Sequence, residues 1–224
     1  IVVAAGRGTR MGTVESKQYL LLDGKPIFIH TLEVFRRHPW VSQIVLVTGK
    51  QDVERCRSWI TEYGIGEQIQ VIPGGAERQD SVRQGLLHLS TPWVLVHDGV
   101  RPFVTSEQIT ACCEAVRTHG AAVLAVPVKD TIKQADAQGF VAATPDRRSL
   151  WAIQTPQAFR RTDLLAAHER AVAEGFVGTD DAMLVERLGI PVKLVEGAYD
   201  NIKITTPEDL DYAEFVRRKR RLRD

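Results

Sequence analysis

Cysteine is scarce: three in 224 residues, Cys56, Cys112 and Cys113, with no C-x-x-C spacing and no histidines at zinc-finger intervals. This argues against a disulfide-stapled secreted scaffold and against a structural zinc site, and the expected location is the cytoplasm. Long apolar runs are missing too. No stretch approaches the ~20 residues that cross a bilayer, and no leader pattern opens the chain, so no membrane partner is expected. Charge of one sign is also lacking: 29 Lys and Arg against 28 Asp and Glu leave +1, whereas a dedicated nucleic-acid binder carries a domain-wide basic excess. The one basic run, Arg217-Arg218-Lys219-Arg220-Arg221, reads either as a polyanion patch or as the end of a helix, where cations meet the negative end of the dipole. What is present, 44% apolar and 25% charged residues, suits one domain with a full core. Residue 1 is an Ile inside an apolar run, and a few preceding residues are expected in the native chain.

Apolar, β-branched runs at 1–5, 43–47, 68–72, 93–97 and 121–126 alternate with helical periodicity near 26–37, 52–63, 78–89 and 106–119. Val94-Leu95-Val96 and Val123-Leu124-Ala125-Val126 are apolar without alternation, as strands covered on both faces are. The pattern predicts an α/β fold with a mainly parallel sheet, then helices near 162–174 and 180–188, a strand at 192–195 and a last helix from 207. Between about 129 and 154 the alternation breaks. Strands at 130–133 and 140–143, joined through 135–139, would form an inserted hairpin. Such a hairpin has little core of its own and is expected to reach across a dimer interface; the alternative is a solvent-exposed flap on a monomer.

After the first strand comes Gly6-Arg7-Gly8-Thr9-Arg10-Met11-Gly12, followed by Lys17-Gln18-Tyr19. Glycines let backbone N–H groups close on phosphate oxygens, and Arg10 and Lys17 supply cations beside them. No Lys-Ser/Thr pair closes the run as in a Walker loop. The dinucleotide fingerprint fails as well, because Met11 stands at its third glycine and the second strand leads into Thr48-Gly49-Lys50 without an acidic residue. A phosphate site of another kind is implied, against the plainer reading of an ordinary strand-to-helix turn.

Open parallel sheets bind ligands beyond the carboxyl ends of their strands. That edge collects the glycine loop, Pro73-Gly74-Gly75, Asp98-Gly99-Val100-Arg101-Pro102 and Pro127-Val128-Lys129-Asp130-Thr131. Asp98 suits a hard ligand for Mg²⁺ held chiefly through nucleotide phosphates and water; capping the next segment is its competing role. His97 is readable as a general base, but beside a buried strand end it is expected to be a hydrogen-bonded core residue. Arg10, Lys17 and Lys203 are the cations expected around a transferring phosphoryl group, which needs positioning and charge neutralisation more than covalent help. An attacking phosphate is already anionic near neutral pH and needs no base. Lys203 is expected at another strand end, holding that phosphate, with Asp200 behind it or beside the metal.

Ala4 to Met11 with Lys17-Gln18-Tyr19, GGAERQDSV (Gly74 to Val82), VHDGVRP (Val96 to Pro102), PVKDTIK (Pro127 to Lys133), Asp146-Arg147, Thr179-Asp180 and DNIKIT (Asp200 to Thr205) together resemble the 2-C-methyl-D-erythritol 4-phosphate cytidylyltransferase family. They do so in the family's order and over nearly the whole chain. The resemblance implies a Rossmann-like three-layer αβα fold of the nucleotide-diphospho-sugar transferase kind. It also implies one nucleotidyltransferase domain over 1–224, with 129–154 an inserted β-arm for homodimerisation. The activity implied makes 4-diphosphocytidyl-2-C-methyl-D-erythritol and pyrophosphate from CTP and a sugar-alcohol phosphate, with Mg²⁺ as cofactor, in non-mevalonate isoprenoid synthesis.

Carried over by residue, Arg10 and Lys17 would stabilise charge at the α-phosphate, and Ala4, Ala5, Gly6 and Gly8 would line the nucleotide. Gly75 and Ser81 would read cytosine with Gly99 nearby, and Asp98 would hold Mg²⁺. Arg101, Thr131, Arg147, Thr179 and Lys203 would surround the acceptor phosphate, Thr131 and Arg147 coming from the partner's arm. Two departures stand out: Ala76 replaces an acidic residue common in the family, and Gly99-Val100 stands where Ala-Ala is frequent. The rival readings are a ribitol 5-phosphate cytidylyltransferase and a catalytically silent nucleotide-binding module. With the end at Asp224, no fused cyclodiphosphate synthase domain is expected.

Overall fold

The computed structural model describes residues 1–6 and 15–222. Its first half runs β1 (Val2–Ala4), β2 (Leu21–Leu22), β3 (Lys25–Pro26), α1 (Ile27–Arg37), β4 (Ile44–Thr48), α2 (Val53–Glu62), β5 (Ile69–Pro73) and α3 (Arg78–Leu87). There follow β6 (Trp93–Asp98), α4 (Ser106–His119), β7 (Ala121–Pro127), β8 (Gln134–Ala135) and β9 (Val141–Ala143). The chain closes with β10 (Trp151–Arg160), α5 (Arg161–Glu174), α6 (Asp181–Glu186), β11 (Lys193–Glu196) and α7 (Pro207–Arg221).

Seven strands form the central sheet in the order β11-β7-β10-β6-β1-β4-β5. All neighbours are parallel except β10, which lies antiparallel between β6 and β7. Alternate residues of one strand serve opposite layers, because side chains on a strand point alternately to its two faces. Ile44 and Leu46 join the core beneath α1, α2 and α4, with Phe28, Leu32, Cys56 and Ile109. Val45 and Val47 join the core beneath α3, α5 and α6, with Val82, Leu86 and Leu164. This three-layer αβα arrangement explains the unbroken apolar strands: both faces are covered. Phe28, Leu46 and Phe159 have no solvent contact, and each such side chain contributes about 1.5–3 kcal/mol by leaving water.

Local signals set the ends of elements. Asp23 (φ 55°) and Gly24 (φ 72°) make the tight turn between β2 and β3, as an Asp-Gly pair between short strands should. Thr105 and Gln108 form a capping box at the start of α4, and Gly120 ends it at φ 84°. Thr206, Pro207 and Asp209 start α7 in the same way. The basic run is the last turn of α7, where Arg217 and Arg221 pair with Asp23 at 3.4 and 2.5 Å.

Two features depart from the sequence pattern. β10 was not expected as a strand, because Gln154, Thr155, Pro156 and Gln157 interrupt its apolar run. Gln154, Thr155 and Gln157 are nevertheless buried and hydrogen-bonded. In the arm, 130–133 is not a strand; pairing starts at Gln134, out of regular register with β9. Residues 129–144 are all exposed, Phe140 to 73% and Val141 to 62%. Among the described residues no helix is long and apolar enough to cross a membrane. Cys56, Cys112 and Cys113 are free thiols.

Candidate active site

At the carboxyl edge of β1, β5 and β6 a cleft of about 230 Å³ opens. Its floor is the end of β1 with Ala5 and Gly6. The buried Gln18 fixes this stretch, its Nε2 donating to Ala4 O at 2.7 Å and Gly6 O at 3.1 Å. Lys17, one residue earlier and in the same 3-10 turn, lines the cleft. Tyr19 anchors the turn through its hydroxyl, 2.5 Å from Thr48 Oγ1.

The second wall is the loop from β5 into α3. A Cβ on Gly74 would lie 2.6 Å from Ser81 Oγ and 2.8 Å from Ala5 Cβ, and one on Gly75 would lie 2.3 Å from Asp80 Cβ. Only glycine permits backbone this close. The Gly75 N–H donates to Ser81 Oγ at 3.2 Å, and that hydroxyl donates to Glu77 O at 3.1 Å. Ala76 also lines this cleft. Gly99 packs against β1, its ideal Cβ position 3.2 Å from both Ala4 Cβ and Val3 O, so alanine there would press on the cleft floor.

Asp98, at the tip of β6, is 6% exposed and carries three cations. Lys203 Nζ lies 2.9 Å from its Oδ2, Arg101 Nε 3.5 Å from the same oxygen, and Arg78 Nε 3.4 Å from Oδ1. Burial pushes the Asp98 carboxyl up, but Arg78, Lys203 and Arg101 outweigh it and hold the group well below the usual carboxylate range. Arg78 also donates from Nη1 to Asp181 Oδ2 at 2.7 Å, and the buried His168 meets Asp181 Oδ1 at 3.2 Å. Asp98 and Asp181 against Arg78, Arg101 and Lys203 leave one net positive charge, and Lys17 and Glu77, which also line the cleft, leave that balance unchanged; a positive balance favours a phosphate.

His97 is a core residue. Its Nε2–H donates to Arg101 O at 3.0 Å and its Nδ1 accepts from the Thr155 hydroxyl at 3.0 Å, while Thr155 Oγ1 accepts from Asp98 N at 3.1 Å. Burial pushes its pKa down to about 3, so the ring is neutral and fully used; it is not a base.

The cleft thus brings together Ala4, Ala5, Gly6, Lys17, Gly75, Ser81, Asp98 and Lys203, with Gly99 and Arg101 directly behind. Gly8 and Arg10 lie outside the described residues. Thr131 and Arg147 sit on the exposed arm, away from this cleft, where Arg147 Nη1 donates to Lys129 O at 2.7 Å. Thr179 is exposed on the loop before α6.

Two expectations around Lys203 are corrected. Lys203 does not end a strand: 201–205 belongs to no strand and is held by Ile204 N–H donating to Val100 O (3.0 Å) and Arg101 Nη1 donating to Asn201 O (2.8 Å). Asp200 does not back Lys203; it pairs with Arg220 at 2.9 Å. Sequence reasoning missed Arg78, Gln18, Asp181 and Thr155 as parts of the site. Gln18 and Arg78 stood inside quoted motifs, but their partners are set only by folding.

A divalent cation held by Asp98 does not fit this donor set. Both carboxylate oxygens face cations, and among the described residues no group of three or more His, Cys, Asp or Glu side chains can hold a metal ion. The larger cavity, about 400 Å³, lies at the opposite edge of the sheet against Ile1, Trp40, Trp93 and Leu95. Arg117 is its one charged lining residue, too little for a triphosphate.

A family model described as IspD, 2-C-methyl-D-erythritol 4-phosphate cytidylyltransferase, matches residues 1–219. The chain is similar to the 2-C-methyl-D-erythritol 4-phosphate cytidylyltransferase of Caldanaerobacter subterraneus subsp. tengcongensis, with 47% identity over 222 residues and 98% of each chain covered. It is similar to that of Bacillus velezensis at 50% over 218 residues, covering 96% of this chain and 94% of the relative. Among solved structures it is similar to 4-diphosphocytidyl-2C-methyl-D-erythritol synthase from Anaerococcus prevotii, with TM-score 0.86, 35% identity, and 97% and 94% of the two chains covered.

Proposed function

The chain belongs to the 2-C-methyl-D-erythritol 4-phosphate cytidylyltransferase family, and from that premise we propose that it joins CTP to 2-C-methyl-D-erythritol 4-phosphate in non-mevalonate isoprenoid synthesis. The observation that carries this reading is the cation cluster on Asp98 beside a glycine-walled cleft. An oxygen of the acceptor phosphate attacks the α-phosphorus of CTP. The bond from that phosphorus to its bridging oxygen breaks, and pyrophosphate leaves with the electron pair. The nucleophile is an anion already, which agrees with a neutral, fully bonded His97 and with a cleft that has no nucleophile–base pair among the described residues.

In this reading Ala4, Ala5, Gly6 and Gly8 line the nucleotide, and Gly75 and Ser81 read cytosine with Gly99 behind. Lys17 and Arg10 neutralise charge as it builds on the α-phosphate. Lys203 and Arg101 receive the acceptor phosphate, and Asp98 fixes both side chains at the tip of β6 before any substrate arrives. Such preorganisation lowers the barrier because no reorientation is needed as charge develops. Magnesium would come with the triphosphate.

Thr179 from its loop, and Thr131 and Arg147 from a partner's arm, complete the acceptor pocket. The arm's exposed Phe140, Val141 and Ile132 support a homodimer through 129–154 around a single domain, 1–224. The free thiols suit the cytoplasm. Pyrophosphate release from CTP with either 2-C-methyl-D-erythritol 4-phosphate or ribitol 5-phosphate tests the proposal. Faster turnover of methylerythritol phosphate is expected. Preference for ribitol phosphate would replace the acceptor, and no release with either would leave a silent nucleotide-binding module.

A further inference from the structure

Helix α3 begins at the loop that would hold cytosine, and its first turn also grips the loop that carries Thr179. Gln79 Nε2 donates to Phe176 O at 3.1 Å, and its Oε1 accepts from Gly178 N–H at 2.9 Å. One planar amide therefore satisfies an acceptor and a donor two residues apart. The preceding residue, Arg78, reaches Asp181 at 2.7 Å. Adjacent side chains of α3 thus bracket Thr179, one residue past Gly178 and two before Asp181.

Packing on the far side backs this grip. A Cβ on Gly178 would lie 2.8 Å from Leu184 Cδ2 and 3.1 Å from Asp180 O, so its backbone is pressed between Gln79 and α6. From the sheet side, Gln157 Nε2 donates to Asp180 Oδ2 at 2.8 Å and its Oε1 accepts from Ala182 N at 3.1 Å. At the other end of the same turn, Gly75 is bonded to Ser81. Gln79 stands between those two residues in sequence, so the turn that would meet a nucleotide at Gly75 and Ser81 is the one hydrogen-bonded to 176–178.

We propose that Gln79 is a positioning residue that couples the nucleotide pocket to the acceptor pocket by clamping the backbone of Phe176 and Gly178. The identities of the two substrates rest on the cytidylyltransferase reading; the clamp rests on geometry alone. Coupling between two sites is commonly worth 5- to 150-fold in affinity.

The full chain is compared with Gln79→Leu, which removes both hydrogen-bonding ends at similar volume, and Gln79→Glu, which keeps the acceptor for Gly178 N–H and loses the donor. Gln79→Leu is expected to raise KM for methylerythritol phosphate about 10-fold, toward the lower end of such couplings, with KM for CTP and kcat within about 2-fold, and Gln79→Glu is expected to raise it less. Hydrogen exchange provides a second readout: CTP slows amide exchange across 176–181 in the unsubstituted protein and fails to do so in Gln79→Leu. If Gln79→Leu does not fold, Gln79→Glu carries both comparisons. An unchanged acceptor KM, an equal rise in KM for CTP, or CTP-dependent protection that is retained in the variant or absent from the parent each overturns the clamp. If the parent releases no pyrophosphate with methylerythritol phosphate, the reaction has been misread, and the exchange comparison still decides the clamp.

Discussion

At the scale of single residues, Asp98 and His97 show how the same strand end serves charge and packing at once. Asp98 organises Arg78, Arg101 and Lys203; His97 spends both ring nitrogens on Arg101 O and Thr155. If Asp98 acts on cations and not on a metal, Lys203→Ala is expected to cost on the order of 10²-fold in kcat/KM while the Mg²⁺ concentration giving half the maximal rate stays unchanged. A lowered Mg²⁺ requirement would mean that Lys203 had been competing with a metal at Asp98. The His97 ring, pushed down to about 3 in the fold, has an ordinary value of about 6.5 when unfolded. Between those values the unfolded chain binds the extra proton, so this residue's contribution to stability is complete above about pH 6.5 and is lost as pH falls toward 3, by ~1.4 kcal/mol per unit. His97→Gln should flatten the dependence of unfolding free energy on pH across that window, and identical slopes for the two proteins would refute the assignment. Asp98 was legible because a carboxylate at a strand end beside glycine loops has few other uses, and Lys17 because it follows the glycine loop; Lys203 lines the cleft although the strand expected to end at it is absent. Arg78 and Asp181 were not: their partnership spans 103 positions of sequence.

Among elements, the arm and β10 carry the lessons. Val94-Leu95-Val96 announced a buried strand through composition alone, whereas β10 hides its buried polar stretch behind Gln154, Thr155 and Gln157. Their side chains are satisfied by Ala198 O, His97 and Asp180, groups far away in sequence. The Asp23-Gly24 hairpin was readable from its turn pair and was passed over because its strands are two residues each. A short hairpin does lie within 129–154, but its first strand was expected four residues early, because Thr131 and Ile132 look like strand formers and belong to no strand. If the arm docks on a second copy, Phe140→Asp should convert a dimer to a monomer in sedimentation velocity. Arg147→Ala should weaken use of the acceptor, and mixing it with a Lys203→Ala subunit should restore activity in the heterodimer beyond the sum of the parents. A monomeric parent protein, or strictly additive mixtures, would confine the site to one chain.

On the scale of the whole molecule, the sheet separates two unlike edges. Its carboxyl edge gathers glycine backbone, Lys17 and the Asp98 cluster; its other edge holds an apolar cavity walled by Trp40 and Trp93. The parallel order of β6, β1, β4 and β5 forces this division, since every loop after a strand opens on the same side. That consequence was legible from alternation of strands and helices, whereas the crossing of β10 between β6 and β7 was not. The central claim is that main-chain amides and positive side chains at the carboxyl edge surround the α-phosphorus of a cytidine donor. A crystal structure with CTP bound tests it most directly. Cytosine is expected against Gly75 and Ser81, with the α-phosphate within hydrogen-bond reach of Lys17. A nucleotide seated at the opposite edge, or a triphosphate running away from Lys17 and Lys203, would contradict it.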